Sequence, residues 1–418
     1  MITFKKTVVF STLCAALISN AANAEQVEIT VASFPNFNQV AEAAVPLFEK
    51  IHPEIKVKIV STAYMDHHNA MTTALATGAN LPDVMSIEAN YIGRLAQSGG
   101  LEPLNVAPYN ANEFYQKITP FTLAQGSDSD GNLRAMPADI GPGSLFYRKD
   151  ILDKSGVTQE ELIKNWDSFI DAGIKVKEKT GYYLLANAVD IKDIYIRANL
   201  KDGEGVYFDK DHNILVNSPR FKEAFRLSKK ARMAGIDAKV APWTNEWTEG
   251  LKRGTISVQM MGAWLGGHLQ DWIAPDATGL WRSTQLPNGA LASWGGSFYA
   301  IPVKAKHKPE AWEFIKFMST TKEIQLLGMK EINAFPALIE AQDDPFFEEK
   351  LPYLGNQQAR LAWKETAMKI PSVSMDRYDE VARQIVSDAL EKVLEHDADI
   401  DTVLADAVKQ IKRKARRR

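Results

Sequence analysis

The chain has 418 residues, 45% of them hydrophobic, with 49 basic and 52 acidic side chains and a formal charge of −3. That balance argues against nucleic acid and anionic membrane as partners. Its one cysteine, Cys14, lies in an apolar leader, so a processed chain has no disulfide, iron–sulfur cluster or Cys-ligated zinc.

In chain order, Lys5 and Lys6 precede an apolar run from Val8 to Ile18, and Ala22-Asn23-Ala24 then supplies the small-x-small pattern of a signal-peptidase site. The run is about eleven residues, short of the roughly 20 that span a bilayer. Leu13 stands where a lipid-attachment signal takes a small residue. Residues 1–24 therefore read as a cleavable export signal. Losing Lys5 and Lys6 takes the charge to −5 in a periplasmic protein that starts near Glu25.

Val27, Ile29 and Val31 alternate with polar residues, which predicts a strand. Val40, Ala43, Ala44, Leu47, Phe48 and Ile51 recur at helical spacing and stop at His52-Pro53. A strand over 55–60, a helix over 69–77 ending at Gly78, and a strand over 82–87 follow. This is the grammar of a parallel α/β sheet, which binds ligands at the carboxyl ends of its strands. Those ends carry Asn36 and Asn38, Thr62 and Tyr64, and Glu88 and Asn90.

The dense Pro/Gly stretch from Met136 to Gly143 reads as a crossing between domains, leading to a strand over 144–148. Mainly helical sequence follows, with helices over 163–179, 219–234 and 245–252. A strand-like run over 257–262 leads to Trp264. Trp294-Gly295-Gly296 marks a second junction before a strand over 298–302, so a return crossing there makes the first domain discontinuous. The C-terminal stretch holding Val403, Leu404, Ala407, Val408 and Ile411 is amphipathic and ends in a basic tail.

No motif for covalent or metal catalysis occurs. The His67-His68 pair reads as hydrogen-bonding rather than metal-ligating, because adjacent helical side chains diverge. Glu246 and Glu249 read as a helix surface rather than a glycosidase pair. Nine tryptophans stand out, six of them (243, 247, 264, 272, 281 and 294) within a short span. A rigid apolar face flanked by polar groups suits a sugar ring, whose C–H faces are apolar and whose hydroxyls need partners. Trp264 at a strand end and Trp294 beside two glycines are the first candidates, with Trp243 next; Trp312 reads as core.

Ile29-Thr30-Val31, Leu81-Pro82-Asp83-Val84, Gly99-Gly100-Leu101-Glu102-Pro103-Leu104, Leu145-Phe146-Tyr147-Arg148-Lys149-Asp150, Gly262-Ala263-Trp264, Gly295-Gly296-Ser297 and Ala311-Trp312-Glu313-Phe314 follow in order. The chain thereby resembles extracellular solute-binding protein family 1, the carbohydrate receptors of ABC importers. The resemblance implies an α/β, two-lobe periplasmic-binding-protein fold (type II) with a cleft between lobes joined by hinge strands. It places 25–138 plus 296–345 in one lobe and 139–295 plus 346–418 in the other. It also implies a monomeric, non-enzymatic receptor that needs no cofactor or metal and partners a membrane permease.

By position, Asn36, Asn38, Glu88, Asp139, Trp264, Gly295 and Gly296 match sugar-contacting places in relatives, and Arg377 matches a segment that approaches the cleft. Phe34, Phe37 and Glu88 stand where relatives often have Trp and Asp, which leaves open which sugar binds and whether it is neutral or acidic. The tryptophans favour a multi-ring ligand. A periplasmic lyase or hydrolase, or a sugar receptor for a sensor, are the alternatives.

Overall fold

The computed structural model describes residues 26–201 and 204–415, so the export signal and the last arginines lie outside it. Among the described residues one sheet contains β1 (Val27–Ser33), β2 (Ile55–Ser61), β3 (Val84–Glu88), β4 (Met136–Arg148), β5 (Val258–Gly262), β6 (Trp281–Thr284), β7 (Ser293–Ala300) and β8 (Phe335–Pro336). Its order is β2-β1-β3-β7-β4-β5, with β6 and β8 also paired to β4.

The opening cadence folds as its alternation predicts. β1 pairs parallel with β2 from Val27↔Ile55 to Ser33↔Ser61, and parallel with β3. Asp83 closes the entry to β3: its carboxylate accepts from the amides of Thr30 (2.9 Å) and His307 (3.0 Å). Helices α1 (Phe37–Ile51), α2 (Tyr64–Thr77) and α3 (Ala89–Ala96) follow the three strands. The face that α1 buries differs from the one expected. Val40, Ala41, Ala44 and Phe48 are inside, whereas Leu47 and Ile51 are 48% and 63% exposed.

β7 does return to the first half of the sheet, antiparallel between β3 and β4. The Pro/Gly stretch, however, is not a break. It is the first half of one long strand, β4, which pairs with β7 and β8 at one end and with β5 and β6 at the other. Two register shifts, at Pro137/Asp139 and Ile140/Pro142, put the prolines where the ladder is already irregular. Gly141 is needed for close approach, since a Cβ there would stand 1.8 Å from the Trp294 carbonyl oxygen.

The second half of the sheet packs under helices. Leu145, Val258 and Met260 from the strands meet Phe169, Ile170, Ile191 and Leu227. The expected helix over 163–179 is split into Gln159–Ile163 and Trp166–Thr180, because Asn165 caps the second by accepting from the Ser168 amide at 2.8 Å. The C-terminal helices Asp379–His396 and Ile400–Ala415 pack on Phe221 and Phe225. No described helix is long and apolar enough to cross a membrane.

Candidate ligand-binding cleft

The carboxyl ends of β2 and β3 are tied together by side chains. The Tyr64 hydroxyl donates to Glu88 Oε2 at 2.7 Å, and the Asn90 amide donates to the same oxygen at 2.8 Å, capping α3. Beneath them His68 Nδ1 donates to the Tyr64 carbonyl (2.7 Å) and Nε2 accepts from the Glu88 amide (3.1 Å). Both ring nitrogens are thus in use, and burial holds His68 down to about 4, so it is neutral. His67 is buried against the Ser86 carbonyl at 2.7 Å.

Asn36 and Asn38 differ. Asn36 is exposed at φ 70°, a left-handed backbone that asparagine tolerates. Asn38 turns away to donate to Glu42 Oε1 at 2.7 Å. Phe34 and Phe37 stack on each other at 5.3 Å and are buried, so this loop offers no aromatic face.

At the crossing, Glu88 in β3 and Asp139 in β4 both register opposite Ser297 in β7. Burial pushes Asp139 up to about 6, opposed by Ser297 and assisted by the Glu88 charge. Glu88 is raised by burial as well. Among the described residues, Asp139 Oδ1 is buried without a partner.

Trp264 lies over the hinge glycines. Its indole N–H donates to the Trp294 carbonyl at 2.8 Å, and a Cβ at Gly295 would come within 2.9 Å of that nitrogen. Gly295 (φ 83°) and Gly296 (φ 110°) therefore supply a backbone and a gap that other residues cannot. Trp243 stacks on Trp264 at 5.9 Å and on Trp272 at 6.5 Å, both nearly parallel. It is 53% exposed and sits at φ 68°, a strained backbone for so bulky a residue. Trp272 is 50% exposed, and its N–H donates to His268 Nδ1. The other clustered tryptophans, Trp247 and Trp281, are core, as is Trp312.

Trp294 is placed otherwise than a free stacking face. It packs against the second core, and the Arg197 guanidinium covers its ring at 5.0 Å. Arg377 is exposed and donates to the Gln97 carbonyl at 3.0 Å, at the rim where the 370–379 strap meets α3. The guanidiniums that line the recess beside Gly295 are instead Arg197 and Arg383, with Asn90, Tyr207, Ser293 and Asp379 around them. Nothing in the sequence points to Arg197, which ends an ordinary amphipathic helix, Val189–Ala198. Asp379 lies two residues beyond Arg377 and reads in sequence as a first-turn helix acid.

The arrangement can accept hydrogen bonds at Asp139 and Asp379, donate them from Arg197, Tyr207 and Ser293, and present aromatic faces at Trp243 and Trp272. Comparison with known proteins agrees with a ligand-binding role. A family model described as bacterial extracellular solute-binding protein matches residues 43–352. A lactose-binding protein of Rhizobium radiobacter is 27% identical over 379 residues, covering 87% of each chain. A solved structure described as extracellular solute-binding protein family 1 superposes with a TM-score of 0.81 at 23% identity, covering 93% of this chain and 99% of that one. An ABC-transporter-associated binding protein of B. animalis subsp. lactis, in complex with β-1,6-galactobiose, gives 0.73 at 24% identity, covering 92% and 97%. The fold is the two-lobe periplasmic-binding-protein fold, and the chain belongs to the bacterial extracellular solute-binding protein family.

Proposed function

We propose that this protein captures a carbohydrate between its two lobes and delivers it to the membrane permease of an ABC importer. In this reading 25–138 plus 296–345 form one lobe and 139–295 plus 346–418 the other. Residues 1–24 direct export to the periplasm, where the protein works as a monomer. The observation that carries the proposal is a continuous line of contacts. An exposed Trp243 at a strained backbone stacks on Trp264, Trp264 covers Gly295, and Gly295 borders a recess whose lining includes buried polar atoms without partners among the described residues. Aromatic faces next to unsatisfied donors and acceptors match the two chemistries of a sugar ring.

The named ligands of the relatives, lactose and β-1,6-galactobiose, support that class. Asn36, Tyr64 and Glu88 contribute from one side, Trp243, Trp264, Arg197 and Asp379 from the other, and Asp139 from the crossing between them. A ligand touching both sides stabilises the closed state over the open one, which is the differential affinity that a switch requires. The protein acts by capture and performs no chemistry on the sugar.

Titration of ligand-free protein with lactose, β-1,6-galactobiose, arabino-oligosaccharides and acidic sugars tests this, followed by tryptophan fluorescence and melting temperature. One sugar is expected to give a saturable shift and to be recovered unchanged by mass spectrometry. Trp243→Ala is expected to weaken its binding about tenfold or more while the ligand-free protein melts near the wild-type temperature. Turnover of the sugar would favour the enzyme reading, and silence across the panel would contradict the carbohydrate assignment.

A further inference from the structure

On the carbohydrate reading above, in which Glu88 and Tyr64 contact the sugar, we infer that His68 is a positioning residue that acts through this pair and fixes the arrangement that receives the ligand.

Three residues close a ring of hydrogen bonds. His68 Nδ1 donates to the Tyr64 carbonyl at 2.7 Å, the Tyr64 hydroxyl donates to Glu88 Oε2 at 2.7 Å, and the Glu88 amide donates to His68 Nε2 at 3.1 Å. His68 thereby holds the backbone of both residues whose side chains form the polar pair. It is fully buried, whereas Tyr64 is 37% exposed, so a ligand meets the pair and not the imidazole. Two aromatic rings complete the seat. Tyr91 of α3 stacks on the imidazole at 4.0 Å and 13°, and Phe34 packs on it at 5.2 Å. Phe34 follows β1, Tyr64 follows β2 and Glu88 ends β3, so one imidazole lies among the carboxyl ends of all three parallel strands.

The bonding partners also fix the proton. A carbonyl only accepts and an amide only donates, so His68 carries its hydrogen on Nδ1 and keeps Nε2 bare. His67 has the opposite form, because its Nε2 donates to the Ser86 carbonyl at 2.7 Å. The two rings stand at 89°, with centroids 4.8 Å apart, which lets consecutive residues of α2 reach positions two apart on β3. His67 thus fastens the helix to the strand, and His68 fastens the strand end to Tyr64. A second hydrogen on His68, at Nε2, would set donor against donor at the Glu88 amide and open the ring. Burial disfavours that charged form in both histidines.

The experiment joins nitrogen-15 NMR of the histidine rings in ligand-free protein to calorimetric titration. The probe is whichever of lactose, β-1,6-galactobiose and arabino-oligosaccharide binds wild type most tightly. His68 is expected to be protonated at Nδ1 alone and His67 at Nε2 alone. His68→Ala is expected to weaken the sugar about tenfold or more. His68→Gln, whose side-chain oxygen can take the bond from the Glu88 amide, should stay within about threefold of wild type. His67→Ala is expected to lower the melting temperature and leave affinity within about threefold, which separates positioning from packing. In a Glu88→Ala background the cost of His68→Ala should shrink by at least about threefold, since the residue acts through its partner. Where His68→Ala fails to fold, His68→Asn, which keeps only the donor toward Tyr64, carries the same expectation. A His68 protonated at Nε2 would overturn the inference and leave the carbohydrate reading standing. So would a His68→Ala protein that melts lower yet binds as wild type does, or equal losses in the two backgrounds. Absence of binding by every sugar would overturn the carbohydrate reading and this inference with it.

Discussion

Asp139 shows what an unpartnered group does to the protein that carries it. Its carboxyl ionises near 3.8 in the unfolded chain and, raised by burial, near 6 in the folded one. Between those values only the unfolded state has released the proton. Stability therefore falls as pH rises through that window and levels off above about 6, a loss of about 3 kcal/mol. Asp139→Asn removes the titration. It is expected to exceed wild type by about 3 kcal/mol at pH 7.5 and by under about 1 kcal/mol at pH 4. Denaturant unfolding at the two pH values checks this, and a gain of equal size at both would contradict the assignment. A ligand hydroxyl donating to the free oxygen offsets the same loss, so a group that weakens the empty protein strengthens the occupied one. His68 has the opposite sign: lowered to about 4, it favours folding above 6.5 and loses that contribution as pH falls toward 4.

At the scale of elements, β4 carries the molecule. It continues from one half of the sheet to the other, and its bulges beside β7 bend the strand where it passes between them. Gly141→Ala would drive a methyl group into the Trp294 carbonyl. The expected loss is about 3 kcal/mol or more, read as a shift in the denaturant midpoint monitored by tryptophan fluorescence. A variant of wild-type stability would mean that β4 and β7 do not approach so closely. The strands β1 and β2 were legible in the sequence because each alternates, and β3 because it is a short, mostly apolar run that follows Pro82. β4 was not, because Pro137, Gly141, Pro142 and Gly143 are local stop signals, overridden by bulges that need neither the N–H nor the side chain. The same holds for the site. Tyr64 and Glu88 were legible as strand ends, where topology alone positions them. Arg197 and Asp379 come from helices far apart in sequence, and only the packing of those helices brings them to one recess.

At the scale of the whole molecule, the two sides of the cleft also meet at its rim. α3 meets the strap through Arg377 on the Gln97 carbonyl, through Gln97 Nε2 donating to the Met375 carbonyl at 3.4 Å, and through Gly93, where a Cβ would lie 2.9 Å from the Asp376 carbonyl. Such rim hydrogen bonds contribute roughly 1 kcal/mol each. Shifting an open population of 99 in 100 to the same fraction closed takes about 5.5 kcal/mol, more than the rim supplies. A ligand that bridges polar groups of both sides would add to what the rim supplies.

The most direct test is small-angle X-ray scattering of the ligand-free protein during titration with the sugar that gives the largest melting shift. The radius of gyration is expected to fall in step with the bound fraction and reach a plateau at one sugar per chain, with the sugar recovered intact. Saturable binding with an unchanged radius, or consumption of the sugar, would contradict capture by closure.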